Sequence, residues 1–210
     1  MRKTLALTAI TGLLAAGLPL VAMPTAANAQ AVDAYAVADL SAVAAAPITV
    51  EEVLAAQRAW GDALVAIATE YDRNGQPAAR RLAEQVIDSA YGYNLGPVAF
   101  KPTLAAAPTT FRTTRASALA YFVGGDRDFP GDSGFALKGW RSYEIDNAAI
   151  IINGTTAISM GNVRITNSSG AVTTVDKTWG YVRDSEGKLS IVLHLSYVTF
   201  WEFCFALLFL

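Results

Sequence analysis

WRSYEIDNAAIIINGTTAISMGNVRITNSSGAVTTVDKTWGYVRDSEGKLSIVLHLSYVT, residues 140–199, decides the fold. It breaks into four segments rich in Val, Ile, Thr and aromatics, at about 140–152, 155–167, 171–183 and 188–199. Asn153-Gly154, Ser168-Ser169-Gly170 and the stretch from Asp184 to Gly187 separate them. Asn-Gly is a strong two-residue hairpin signal, because both central residues of the favoured turn take positive φ. Four such segments in succession predict an antiparallel meander of long strands.

Upstream the texture is helical. Thr49-Val50-Glu51-Glu52 is a capping box, in which the Thr hydroxyl accepts from the third amide and Glu52 reaches back. Val53, Leu54, Trp60, Leu64, Ile67 and Tyr71 then recur at steps of three and four, giving one apolar face of a long helix that Asn74-Gly75 ends. A second helix runs from about Pro77 to Tyr91, with Leu82, Val86 and Ile87 on its buried face. Gly92 to Thr103 reads as a short strand with turns, and Arg112 to Phe122 as a third, short helix. Gly124-Gly125, Pro130, Gly131 and Gly134 mark a long loop. Helices followed by a long-stranded sheet predict an α+β domain over 48–197, with the sheet curled around the first helix. Such a cone has an apolar pocket at its open end, suited to a small molecule.

The chain has 210 residues, enough for one domain plus a leader. Hydrophobic residues make up 53% and charged residues 16%, which excludes global disorder. The net charge of −2 comes with no basic stripe, so no nucleic-acid partner is expected. Arg2-Lys3, the apolar run from Thr4 to Val21 and Ala27-Asn28-Ala29 before Gln30 read as a secretory signal over 1–29. Its removal leaves 14 basic against 18 acidic residues, a mildly acidic product expected to be periplasmic or secreted. No stable membrane span is expected after cleavage. Residues 30–47 are Ala-rich and read as a flexible linker. The tail over 198–210, VTFWEFCFALLFL, is too short to span a bilayer as a helix. It reads as a divergent terminus, with an extra buried strand or an oligomer contact as alternatives.

Chemistry-bearing residues are sparse. One Cys, Cys204, and one His, His194, cannot build a Cys/His zinc cage. No phosphate loop, dinucleotide fingerprint or nucleophile elbow is present. In Leu193-His194-Leu195-Ser196, strand alternation puts His194 and Ser196 on one face. If that face lines the cone, an imidazole and a hydroxyl share the pocket; otherwise His194 is a half-buried sheet residue. On composition alone Thr103 and Tyr121 are turn and core residues. Asp126, Asp128 and Asp132 form an acidic loop, read as solvated, with a divalent-cation site as the alternative. Glu144 and Asp146 are inward-facing candidates only for a carboxylate-based rival chemistry, and surface placement is the reading preferred.

Several segments together carry a resemblance: Ala55-Ala56-Gln57-Arg58-Ala59-Trp60-Gly61, Leu95-Gly96-Pro97-Val98-Ala99-Phe100-Lys101-Pro102-Thr103, Tyr121-Phe122-Val123-Gly124-Gly125, Asp128-Phe129-Pro130, Gly134-Phe135-Ala136-Leu137 and Leu193-His194. Over about 48–196 the chain resembles the iota-class carbonic anhydrases of the NTF2-like/SnoaL-like superfamily, related to the association domain of calcium/calmodulin-dependent kinase II. The resemblance implies an NTF2-like cone, reversible hydration of CO2 to bicarbonate, and homo-oligomers. It implies catalytic roles for Thr103, Tyr121 and Ser196, with His194 as proton acceptor or relay. No cofactor is expected, with zinc or manganese left as alternatives. Leu195 and Tyr197 depart from the His-His-Ser-Ser run of the family, and both fall on the face opposite His194 and Ser196. The competing function is a secreted small-molecule binding or oligomerisation module without catalysis.

Overall fold

The computed structural model describes residues 46–198. The signal segment, all of the linker before Ala46 and all of the tail beyond Val198 lie outside the described residues.

Helix α1, Val50–Asn74, begins at the expected capping box: the Glu52 amide donates to Thr49 Oγ1, and the Thr49 amide to the Glu52 carboxylate. Arg183 from the sheet holds the same carboxylate at 2.6 Å, so the cap also fastens α1 to a strand. Trp60, Leu64 and Ile67 recur along the apolar face and are almost fully buried, each contributing about 1.5–3 kcal/mol. Gly75, at φ 76°, ends α1 and opens α2, Gln76–Ala90, whose second residue is Pro77. Helix α3, Arg115–Val123, starts at its own capping box, Thr114 with Ser117. It begins three residues later than the sequence suggests, because the cap lies at Thr114.

The sheet has five strands: β1 Ala99–Lys101, β2 Trp140–Asn153, β3 Thr156–Asn167, β4 Val172–Arg183 and β5 Leu189–Val198. Their spatial order is β1-β5-β4-β3-β2. The four long strands form the expected meander, within a residue or two of the expected limits. The first hairpin differs in its turn. Asn153 pairs with Thr156, so Gly154 and Thr155 are the central residues, and only Gly154 has positive φ (58°). That is the pattern of a type II′ turn, with glycine first, rather than type I′. In the next turn the Asn167 carboxamide oxygen accepts from the Ser169 and Ala171 amides. In the last turn the Asp184 carboxylate accepts from Glu186 and Lys188 in the same way.

Strand β1 pairs in parallel with β5: Ala99 opposite Leu193, Phe100 opposite His194, Lys101 opposite Leu195. This short pairing brings the 99–103 segment to the last strand. On the far side of the sheet, α1 is tied down by amides. Gln57 and Asn147 exchange two hydrogen bonds of 2.8 Å, and Gln57 also donates to Ser159. These groups are buried or half-buried, so their pairing removes a desolvation cost of about 1–3 kcal/mol for each group otherwise left unmade.

Strand β2 shifts register between Asn147 and Ala149, and Gly161 of β3 lies beneath that irregularity. A Cβ on Gly161 would sit 2.0 Å from the Asp146 carbonyl oxygen. The obstacle is backbone, which cannot swing aside. We expect Gly161→Ala to cost about 3 kcal/mol, the upper end for overpacking. A thermal melt checks this; an unchanged melting temperature would show that the strands part at little cost.

Candidate active site

Three separate stretches supply the polar groups of one pocket in the cone. Strand β1 leads into Thr103, helix α3 carries Tyr121, and β5 carries His194 and Ser196. The wall between them is aromatic, with Trp60 from α1 and Phe100 from β1. Thr103 Oγ1 and Ser196 Oγ lie 2.6 Å apart and satisfy one another. Tyr121 is 5% exposed, and its hydroxyl makes no hydrogen bond of good geometry among the described residues. Burial raises its phenol well above the usual range, and the nearby Leu104 amide and Thr103 hydroxyl offset only part of that. Tyr121 is therefore a neutral donor with its proton uncommitted.

The four residues expected from sequence meet, and a fifth joins them. Lys177 of β4 is paired across the sheet with Ser196 and is 2% exposed. Its ammonium nitrogen is 2.7 Å from His194 Nε2, 3.4 Å from Ser196 Oγ and 4.3 Å from the centre of the Trp60 ring. Among the described residues, no ion pair includes it. Burial lowers its pKa from the ordinary value of 10.5 to about 7. A lysine in a strand usually reads as solvent-facing. The available signal was alternation: Val175, Lys177 and Trp179 share the face that must be buried, while Asp176 and Thr178 take the other.

His194 is held on both sides. Its ring stacks on Phe100 at 4.5 Å between centroids, with Trp60 edge-on at 5.6 Å. Nδ1 lies 2.8 Å from the Tyr91 hydroxyl, which itself accepts from Trp60 Nε1 at 3.1 Å. Burial, and then the adjacent Lys177, keep the imidazole pKa well below 6.5. The expectation of His194 as proton acceptor or relay is met by an imidazole that contacts Lys177 rather than the Thr103 and Ser196 hydroxyls. Lys177 stands between the imidazole and Ser196, and His194 orients Lys177. Two proton arrangements fit this chain. Either Tyr91 donates to Nδ1 and Nε2–H faces the Lys177 lone pair, or Lys177, as amine or ammonium, donates to Nε2 and the imidazole takes the other tautomer, which leaves the lone pair of the amine free.

The remaining acidic candidates lie elsewhere. Asp132 is not solvated: Arg112, 2% exposed, donates to both of its oxygens at 2.8 and 3.0 Å, pinning the glycine-rich loop. The Asp126 carboxylate accepts from the Asp128 amide. Glu144 pairs outward with Arg164, and Asp146 is exposed. Among the described residues, no group of three or more His, Cys, Asp or Glu side chains is placed to hold a metal. Leu195 and Tyr197 turn to the outer face, where the Lys101 ammonium rests 3.9 Å from the centre of the Tyr197 ring.

Residues 51–198 match the family described as metal-independent carbonic anhydrase. A protein of that description from Nostoc sp. (strain PCC 7120) is 64% identical over 149 residues, covering 71% of this chain and 73% of its own. The crystal structure of an iota-carbonic anhydrase from a cyanobacterium, complexed with bicarbonate, superposes with a TM-score of 0.73 at 60% identity, covering 76% of this chain and 98% of that one. An NTF2-like superfamily protein from Salmonella enterica serovar Typhimurium matches at 10% identity over 70% of this chain and 89% of that one, with a TM-score of 0.41.

The buried bases give stability a definite pH dependence. Lys177 binds its proton more weakly folded (about 7) than unfolded (near 10.5), so the unfolded chain is protonated first as pH falls. Stability is therefore lost as pH drops across that window, by at most about 1.4 kcal/mol per unit. His194 shifts in the same sense and extends the loss below pH 6.5. Tyr121 and Tyr181 are shifted upward by burial, so stability falls again above about pH 10, where unfolded phenols ionise. Melting temperature should peak between these limits, and Lys177→Met should flatten the rise between pH 7 and 9. A rise of the same slope in that variant would show that Lys177 keeps its proton when buried.

Proposed function

The chain belongs to the metal-independent carbonic anhydrase family, and from that premise we propose that Thr103, Tyr121, Ser196 and Lys177 carry the reversible hydration of CO2 to bicarbonate in the cone pocket. The observation that carries this assignment is the convergence of the Thr103 and Ser196 hydroxyls at 2.6 Å, beside an uncommitted phenol and a buried amine.

Hydration needs a water that loses a proton as its oxygen attacks the carbon. Free water has a pKa of about 15.7, so a site without a metal must orient that water and supply an acceptor. The aromatic wall suits apolar, linear CO2. Thr103 and Ser196 each have one proton to donate and lone pairs to accept with, so together they can hold a water and one product oxygen. Tyr121 donates to the oxygen on which charge develops. A preorganised donor of this kind is worth roughly 10²–10³ in rate. Ser196 passes the proton of the water to Lys177, whose pKa of about 7 leaves a substantial share of free amine at neutral pH. His194, fixed by Tyr91 and Phe100, holds the amine in line with Ser196. In the reverse direction the ammonium returns the proton.

The signal-like segment at 1–29 supports export to the periplasm or beyond. The exposed Ile151, Ile158 and Met160 on the outer sheet face support assembly of copies of the chain through that face.

Stopped-flow CO2 hydration tests this reading. The full chain should keep its rate after exhaustive chelation. Thr103→Val, Ser196→Ala and Tyr121→Phe should each lower kcat/KM by about 10²-fold. The rate should rise with pH to a plateau above about 7, and Lys177→Met should lose that rise along with most of the activity. Indifference to all three hydroxyl changes would refute the site. Activity lost on chelation and restored by one metal would refute the metal-free mechanism.

A further inference from the structure

We propose that Lys177 is a carbamylation site: its ε-amine attacks CO2 in the pocket and is converted reversibly to a carbamate held by the hydroxyls that otherwise hold bicarbonate. This rests on the reading that CO2 enters the pocket.

The surroundings of Lys177 favour a nucleophile over a cation. From β5 it meets His194 Nε2 at 2.7 Å and Ser196 Oγ at 3.4 Å. From α1 it meets only the face of Trp60, and within β4 the Trp179 ring at 5.5 Å. Among the described residues, the other titratable groups joined to this site are phenols, Tyr91 behind His194 and Tyr121 in the pocket lining. Neighbouring Asp176 faces outward and accepts from Asn162. With no carboxylate paired to it among the described residues, burial leaves a substantial share of the amine unprotonated near neutral pH. Lys101 and Lys138 differ. The first lies over Tyr197 on the outer face, and the second is exposed.

The step balances without a co-reactant. The Nζ lone pair forms an N–C bond, one C–O π pair moves onto oxygen, and one N–H proton leaves through His194 Nε2 to solvent buffer. Lys–NH2 and CO2 thus become Lys–NH–COO⁻ and a proton. The carbamate replaces a poorly accommodated cation with an anion facing three donors. Tyr121 is the telling one: its buried hydroxyl is unpartnered among the described residues, and a carbamate oxygen would take its proton. Because the carbamate occupies the hydroxyls and removes the amine, the modified enzyme is idle. CO2 therefore acts both as substrate and as a slow, reversible inhibitor.

The full chain is equilibrated with ¹³C-labelled CO2 and bicarbonate at pH 8, capped with triethyloxonium and mapped by peptide mass. Stopped-flow hydration is measured on the same sample. The expected result is a ¹³C-ethoxycarbonyl group on Lys177 at about a hundredfold or more the level on any exposed lysine, the ratio of free-amine fractions at that pH. Pre-incubation with CO2 should also lower the initial hydration rate, and Lys177→Arg should carry no label. Since the map of the unaltered chain localises the label, the result stands even if that variant fails to fold. An active chain with no label at Lys177, or with label spread evenly over the exposed lysines, overturns the carbamate and leaves the anhydrase reading intact. Label at Lys177 in a chain that is inactive even without CO2 pre-incubation supports the carbamate and removes the anhydrase reading.

Discussion

A lysine amine buried against a histidine nitrogen, in no ion pair among the described residues, is the constraint around which the cone is organised. The register of β4 against β5 places Lys177 opposite Ser196, and everything else in the pocket follows from keeping that nitrogen dry. Trp60 and Trp179 cover it, and Phe100 stacks on the imidazole that holds it. Tyr91 and Trp60 then satisfy the far side of that imidazole. The chain Trp60–Tyr91–His194–Lys177–Ser196–Thr103 joins α1, α2's end, two strands and the loop after β1 in one run of polar contacts. An uncompensated buried charge is costly, so burial brings the pKa of Lys177 down to about 7 and both its forms are populated near neutral pH. The feature that strains stability is thus the one proposed to accept the proton at neutral pH.

Much of the architecture is written locally. The Thr49 capping box and the three- and four-residue steps of α1 need no tertiary information, and glycine and Asx residues punctuate the meander. What escaped is what depends on distant partners. A short strand within Gly92 to Thr103 is legible, but its partner is not: only the parallel pairing of β1 with β5 delivers Thr103 to Ser196. The turn at Gly154 slid by one residue because the pairing of Asn153 with Thr156, not the Asn-Gly dipeptide, set its centre.

The site divides in the same way. Strand alternation put His194 and Ser196 on one face, and the family resemblance added Thr103 and Tyr121. Lys177 was passed over because a lone lysine in a strand is ordinarily solvated, and because no acidic partner announced it. Its inward direction is nonetheless encoded two residues either side, in Val175 and Trp179. The same alternation sends Leu195 and Tyr197 outward, so the departures from the family's run fall on the face opposite the pocket.

The 2.6 Å contact between Thr103 and Ser196 has a consequence for turnover. Two hydroxyls that already content each other gain little by embracing an incoming anion, since one good bond must be surrendered for each new one. Under the proposed site assignment, product would be gripped loosely there. For a catalyst of a near-balanced interconversion, a self-closing latch of this sort would keep the exit from becoming the slow step in either direction.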